Sequence, residues 1–269
     1  MTTSSARRRV DRDAAVLGSS GVPYPRMIDL SYPSLPDGQL LYAIGDIHGR
    51  LDLLGLLLAM IEADSAQSRS ERKTLVFLGD YIDRGPDSRG VIEAFLDDLP
   101  KDFDAHFLKG NHEALLLNFL EDASCLRHWL VNDAKSTMQS YGVDVHTLER
   151  EGAPPEAWRG AFAAALPESH RHFFQMLTLM TSFGDYLFVH AGLRPGVPIE
   201  TQDERDLIWI RREFLESGED FGKFVVHGHT PVSLPEVRSN RIDIDTGAVF
   251  SSRLTALRLE GSRRSFLHT

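Results

Sequence analysis

Five short blocks set metal-ligating and acid–base side chains beside glycine: Gly45-Asp46-Ile47-His48-Gly49, Gly79-Asp80-Tyr81-Ile82-Asp83-Arg84-Gly85, Gly110-Asn111-His112-Glu113, His190-Ala191-Gly192 and His227-Gly228-His229-Thr230-Pro231. Singly, each has an ordinary explanation. An Asp or Asn after Gly caps a helix or closes a turn, a lone His is a hydrogen-bonded interior residue, and Arg84 pairs with a surface acid. Capping does not explain their joint occurrence; a pair of cations does. Asp46 and His48 are two apart, so on an extended strand end they project to one side and leave Ile47 to the core. They can hold one ion. Asp80 has two oxygens and can bridge to a second ion, which Asn111, His190 and His229 complete. Such an oxygen and imidazole shell suits manganese first, with iron and zinc as alternatives. Thiolate sites need several cysteines, and Cys125 is alone. Two ions held together would share and acidify a water and clamp a phosphoryl group.

The elements that carry these blocks are legible in the hydrophobic pattern. Residues 40–46, 74–80 and 105–111 are short apolar runs ending in Gly-Asp or Gly-Asn, with helical stretches at 50–63 and 90–96 between them. That is β-α-β-α-β with short links, the pattern of parallel strands. In open α/β sheets, ligands collect at the carboxyl ends of strands, and the blocks stand there. Residues 113–180 read as helical, with breaks at Gly142 and at 152–155. Strands resume at 185–192, 223–230, 241–248 and 253–259, the last two suggesting an antiparallel hairpin. Residues 1–38 hold arginines, serines and prolines without periodicity and read as a tail; residues 39–269 read as one catalytic domain with a helical, cap-like insertion at about 114–180.

Composition narrows the function classes. The formal net charge of −10, from 39 acidic against 29 basic residues, opposes a broad nucleic-acid footprint. No apolar run is long enough for a membrane span, and the arginine-containing start lacks a following apolar stretch. A single cysteine fits a reducing, cytoplasmic setting.

The order and spacing of the blocks resemble the metal-dependent phosphoprotein phosphatases within the calcineurin-like metallophosphoesterases, over about residues 41–260. The similarity is to the bacterial and bacteriophage-type serine/threonine phosphatases, supported by residues 206–215, 225–232 and 241–248. It implies a four-layer α/β/β/α sandwich with two metal ions above its sheets. It further implies that Asp46, His48 and Asp80 bind the first ion, and Asp80, Asn111, His190 and His229 the second. His112 would be the general acid, Asp83 the carboxylate orienting it, and Arg84 a phosphate-binding arginine, with Asn111 contributing to phosphate binding. Arg211 is a second phosphate-binding candidate, with a helix-surface arginine beside Arg212 and Glu213 as its other reading. His227 reads as structural, and Asp243 and Asp245 as strand and turn residues.

The function expected on this basis is hydrolysis of phosphoserine and phosphothreonine in proteins, by direct attack of a metal-bridging hydroxide without a phosphoenzyme. Pro231, where many calcineurin-like phosphoesterases carry a second histidine, favours the phosphoprotein branch. The segment that eukaryotic members carry near the active site is replaced by residues 243–252, so no eukaryotic-type regulatory subunit is implied. On the same site, a symmetrical dinucleoside-tetraphosphate hydrolase or a small-molecule phosphatase is the alternative. A non-catalytic scaffold would be expected to have lost ligands, and here all six ligand positions stand.

Overall fold

The computed structural model describes residues 33–269; residues 1–32, most of the expected tail, lie outside them. The strands in chain order are β1 (Gln39–Ile44), β2 (Arg72–Phe77), β3 (Phe103–Phe107), β4 (Met180–Phe183), β5 (Tyr186–Val189), β6 (Phe224–His227), β7 (Glu236–Val237), β8 (Arg241–Asp243), β9 (Thr255–Glu260) and β10 (Arg263–His268). They form two five-stranded sheets, ordered β10-β9-β1-β2-β3 and β4-β5-β6-β8-β7. The β1-β2-β3 core of the first sheet is parallel, as its βαβαβ pattern requires, with α1 (Leu51–Ser65) and α2 (Ser88–Asp97) as the connections.

Period-two alternation on strands buried on both faces produces the layers. On β1, Leu40, Tyr42 and Ile44 pack with Leu54, Leu57 and Ile61 of α1, while Leu41 and Ala43 face the other way. There they meet Tyr186, Phe188, Phe224 and Val226 of the second sheet. The opposite faces of β5 and β6, with Leu187, Val189 and Val225, are covered by Leu207, Ile208, Ile210 and Phe214. The result is the expected four-layer α/β/β/α sandwich.

Residues 113–180 are helical as expected, running from α3 (Asn111–Glu121) through α4 (Leu126–Leu130), α5 (Ala134–Ser140), α6 (Val145–Arg150), α7 (Pro155–Ala165) and α8 (Glu168–Gln175). Trp129, Met138, Trp158, Phe162 and Phe174 from this stretch belong to the same apolar cluster as the helix-facing side of β1 and β2. The segment thus extends the outer helical layer.

Three features depart from the sequence reading. The strands near 241–248 and 253–259 do not pair: β8 lies parallel to β6 in the second sheet, and β9 runs antiparallel to β1 in the first. Gly247, at φ +66, and α11 (Ala248–Ser251) carry the chain from one sheet to the other. The hairpin partner of β9 is β10, through a turn at Gly261, whose φ is +55. Residues 33–38, grouped with the tail in sequence, belong to the packed body. Leu35 is buried between the sheets, its N–H bonds Gly261 O at 3.0 Å, and Tyr186 Oη donates to Pro33 O at 3.1 Å.

Candidate active site

All five blocks follow the carboxyl ends of strands in parallel pairings: β1, β2 and β3 in one sheet, β5 and β6 in the other. Contacts across the sheets bring these ends to one rim. His190 Nδ1 donates to Leu78 O at 2.9 Å, and His229 N–H donates to the Asp46 carboxylate at 3.1 Å.

Asp80 is the centre of the arrangement. Its Oδ1 lies 3.4 Å from His190 Nε2 and its Oδ2 3.6 Å from His48 Nε2, so its two oxygens face two different imidazoles. Two clusters share it: His48, Asp80 and His112, and Asp80, His190 and His229, all buried and with ligand atoms within 4.8 Å. Asp46 is buried beside them but falls in neither cluster, its carboxylate being turned to the His229 N–H. Asn111 Oδ1 sits 3.0 Å from His190 Nε2.

The donor set fits cations. His48 Nδ1 is held by Ile82 O at 2.8 Å and His190 Nδ1 by Leu78 O, which leaves each Nε2 with a lone pair facing the site. The His190 Nε2 lone pair then opposes the Asn111 carbonyl oxygen, a contact that a cation between them resolves. His229 Nε2 is buried without a hydrogen-bond partner. Burial is the main cause that lowers His48 to about 3 and His229 to about 2, so both rings are neutral at physiological pH, the form in which imidazole can hold a metal. Burial opposes the charge on Asp80, yet the surrounding histidines, His190 foremost, hold its carboxyl well below the usual range. Asp46 goes the other way, raised by burial and by the charges of Asp245, Asp80 and Asp243. A buried excess of carboxylate is what a bound cation offsets.

His112 has a different environment. Its Nδ1 donates to Asp83 Oδ2 at 2.7 Å, and its Nε2 lies 3.1 Å from Arg84 Nη2 and 3.8 Å from Asp80 Oδ2. Burial favours its neutral form, but the Asp80 charge and the Asp83 bond outweigh burial and raise its pKa. Neighbouring imidazoles are thus pushed in opposite directions, the pattern that separates a proton donor from ligands.

Asp83 is held from the helical segment. Trp129 Nε1 of α4 donates to its Oδ2 at 2.8 Å, and Thr137 Oγ1 of α5 to its Oδ1 at 2.5 Å. Its backbone N–H also meets Thr137 Oγ1, at 2.8 Å, and Ser88 Oγ, at 3.1 Å. Sequence reasoning passed over Thr137 and Ser88, whose residue types carry no signal without the fold. It also passed over Glu113, the last residue of the Gly-Asn-His-Glu block. Buried Glu113 accepts the N–H groups of Asp80, Tyr81 and Gly110 at 2.8–2.9 Å, tying the loops after β2 and β3 together. Burial and the Asp80 charge push it up to about 7.

The backbone is strained where the chemistry concentrates. Among the described residues, seven that are not glycine have positive φ, and five of them are His48, Asp80, Asp83, Arg84 and His229. Gly110 is required for a different reason, since a side chain there would overlap the Asp80 carboxylate.

Arg84 reaches across one side of the site, Nη1 lying 2.8 Å from His48 Nε2. Arg211, exposed and bonded to Thr230 Oγ1 at 3.1 Å, stands on the His229 side. It is not on the surface of a long helix but immediately before α10 (Arg212–Leu215). Asp245, read in sequence as a turn residue, is buried near Asp46 and raised to about 6 by burial, with the Asp80 charge adding to it. His227 is buried edge-on to Phe214, 5.0 Å between centroids, and 3.8 Å from Asp243.

A family model described as calcineurin-like phosphoesterase matches residues 40–250. The chain belongs to this family. The asymmetrical bis(5'-nucleosyl)-tetraphosphatase PrpE of Oceanobacillus iheyensis is 30% identical over 233 residues, covering 80% of this chain and 86% of the relative. PrpE of Bacillus thuringiensis, with the same description, is 26% identical over 236 residues, 80% of this chain and 88% of the relative. A crystal structure provisionally assigned as a diadenosine tetraphosphatase superposes with a TM-score of 0.59 at 22% identity, over 88% of this chain and 98% of that one. The metallophosphoesterase expectation therefore holds, while the two PrpE relatives favour the dinucleotide-hydrolase alternative over a protein substrate. No helix among the described residues is long and apolar enough to cross a membrane.

Proposed function

We propose that this protein hydrolyses dinucleoside tetraphosphates, cutting the chain off-centre into a nucleoside triphosphate and a monophosphate. The observation that carries this reading is the similarity, over 80% of the chain, to asymmetrical bis(5'-nucleosyl)-tetraphosphatases. It outweighs Pro231, which favoured the phosphoprotein branch. The cut position also differs from the symmetrical alternative considered from sequence.

In this reading, Asp46, His48 and Asp80 hold one divalent ion, and Asp80, Asn111, His190 and His229 the other. Bound there, the ions would supply Lewis-acid activation and neutralise charge on the phosphoryl group. Manganese remains the first candidate, for the oxygen and imidazole donors. The neutral rings of His48 and His229 and the anionic Asp80 need no proton loss to bind metal at neutral pH. Arg84 and Arg211 bind the non-bridging phosphate oxygens, and the Asn111 amide contributes to the same binding. When substrate engages Arg84, the nearby His112 Nε2 is free to carry a proton to the departing oxygen, and Asp83 fixes the ring and stabilises its charged form.

The test is turnover of diadenosine tetraphosphate by protein reloaded with manganese, iron or zinc, with the products separated by anion exchange. ATP and AMP in equal amounts are expected. Two ADP would support a symmetrical cut. A phosphoserine peptide turned over with the higher kcat/KM would restore the phosphoprotein reading.

A further inference from the structure

Helix α9 (Glu204–Trp209) carries Arg205 and Trp209 four residues apart, on one face, while Leu207 and Ile208 are buried against the second sheet. Buried Ile210 then separates Trp209 from Arg211, so both flanking side chains stand outward. The chain has three tryptophans. Trp129 and Trp158 are 0% and 4% exposed, whereas Trp209 is 38% exposed. Its ring stands edge-on to His229, 5.9 Å between centroids, so an open indole borders the expected metal site. Trp209, with Asp203 and Arg205, lines both of two adjoining clefts, of about 710 and 470 Å³.

Charge distinguishes the larger cleft. Arg194 is bound to Asp206 at 2.6 Å and Lys109 to Glu204 at 2.8 Å. Arg205 and Arg211 line the larger cleft with Asp203, Asp206 and Glu213, and neither arginine is in an ion pair among the described residues. In a chain of net charge −10, two exposed guanidinium groups without an ion pair, close in sequence to an exposed indole, suit an anionic ligand that also carries a flat ring. Guanidinium forks match phosphate oxygens, and an indole face stacks on any nucleobase.

We propose that Trp209, with Arg205 and Arg211, forms the subsite for one nucleoside arm of the substrate, a reading that rests on the dinucleotide function above. The base stacks on the indole, and the phosphates between it and the metal site run along the two guanidinium groups. Trp209 sets substrate class here: it rewards a phosphoester that carries a base and is indifferent to one that does not.

The test compares diadenosine tetraphosphate with glycerol 2-phosphate, which has no ring to stack. Trp209→Ala should lower the ratio of their kcat/KM values by roughly 5- to 100-fold, the worth of one stacked base, chiefly through KM for the dinucleotide. Trp209→Phe should recover most of that ratio, and metal content should match the parent in both variants. An unchanged ratio in Trp209→Ala, with the parent active on the dinucleotide, would overturn the subsite and leave the function standing. If the parent fails to cleave the dinucleotide, the function falls, and a fluorescence titration with ATP decides the subsite. With the other two tryptophans buried, saturable quenching that Trp209→Phe abolishes would support the subsite, and its absence in the parent would refute it.

Discussion

Replacing His112 with Asn separates proton delivery from metal binding. The imidazole is anchored by the 2.7 Å bond to Asp83, and its other nitrogen opens on the space between Arg84 and Asp80. Asn is small enough for the cavity and cannot carry a proton. With a phosphoserine peptide, whose alkoxide leaves poorly, turnover should fall by about 10²–10⁴-fold, or about 2.7–5.4 kcal/mol of barrier. With diadenosine tetraphosphate the leaving group is itself a phosphate, which departs with less help, and the loss should be distinctly smaller. The pH profile supplies an independent sign. Because the His112 pKa is raised, its acid form persists to higher pH than in a free imidazole, and turnover of the parent should decline as pH rises through that raised value. Stability of the metal-free protein should follow the same direction. The contribution of His112 is complete below about pH 6.5, the unfolded value, and is lost as pH rises through the folded one. The variant should flatten both slopes. Kinetics on the two substrates, with metal analysis by mass spectrometry, measures all of this. Equal losses on both substrates, or lost metal, would refute the acid assignment and make His112 a phosphate or metal contact.

Asp80→Asn should cost the protein both ions and reduce turnover to background, since each oxygen of Asp80 faces a different cluster; two tightly held ions by mass spectrometry with near-parental activity would disprove the bridging role. Thr137→Val keeps the shape of the side chain but removes a donor to buried Asp83, and should destabilise the protein by about 1.5–3 kcal/mol in urea unfolding. The same variant should weaken the high-pH decline attributed to His112, whereas a purely structural contact would leave the profile unmoved.

The five blocks, their place at strand ends and the parallel βαβαβ core were legible in the sequence because each depends on local periodicity and on a few residue types. So was the supply of candidate ligands, since Asp46, His48, Asp80, Asn111, His190 and His229 recur together at successive strand ends. The division of Asp80 between His48 and His190 was expected from the two oxygens of a carboxylate, but only the meeting of the two sheets puts one oxygen before each ring. The proton states of chemically identical imidazoles were decided entirely by tertiary structure. His112 rises and His48 falls because burial and neighbouring charges act through space, with no trace in the adjacent sequence. The same holds for Thr137 and Trp129, which reach Asp83 from 54 and 46 residues away. It holds too for β8 and β9, whose alternation and turn look like a hairpin until the chain crosses between sheets. A pattern along the chain specifies which side chains share a face; which face meets which is settled by burying both sheets against one another.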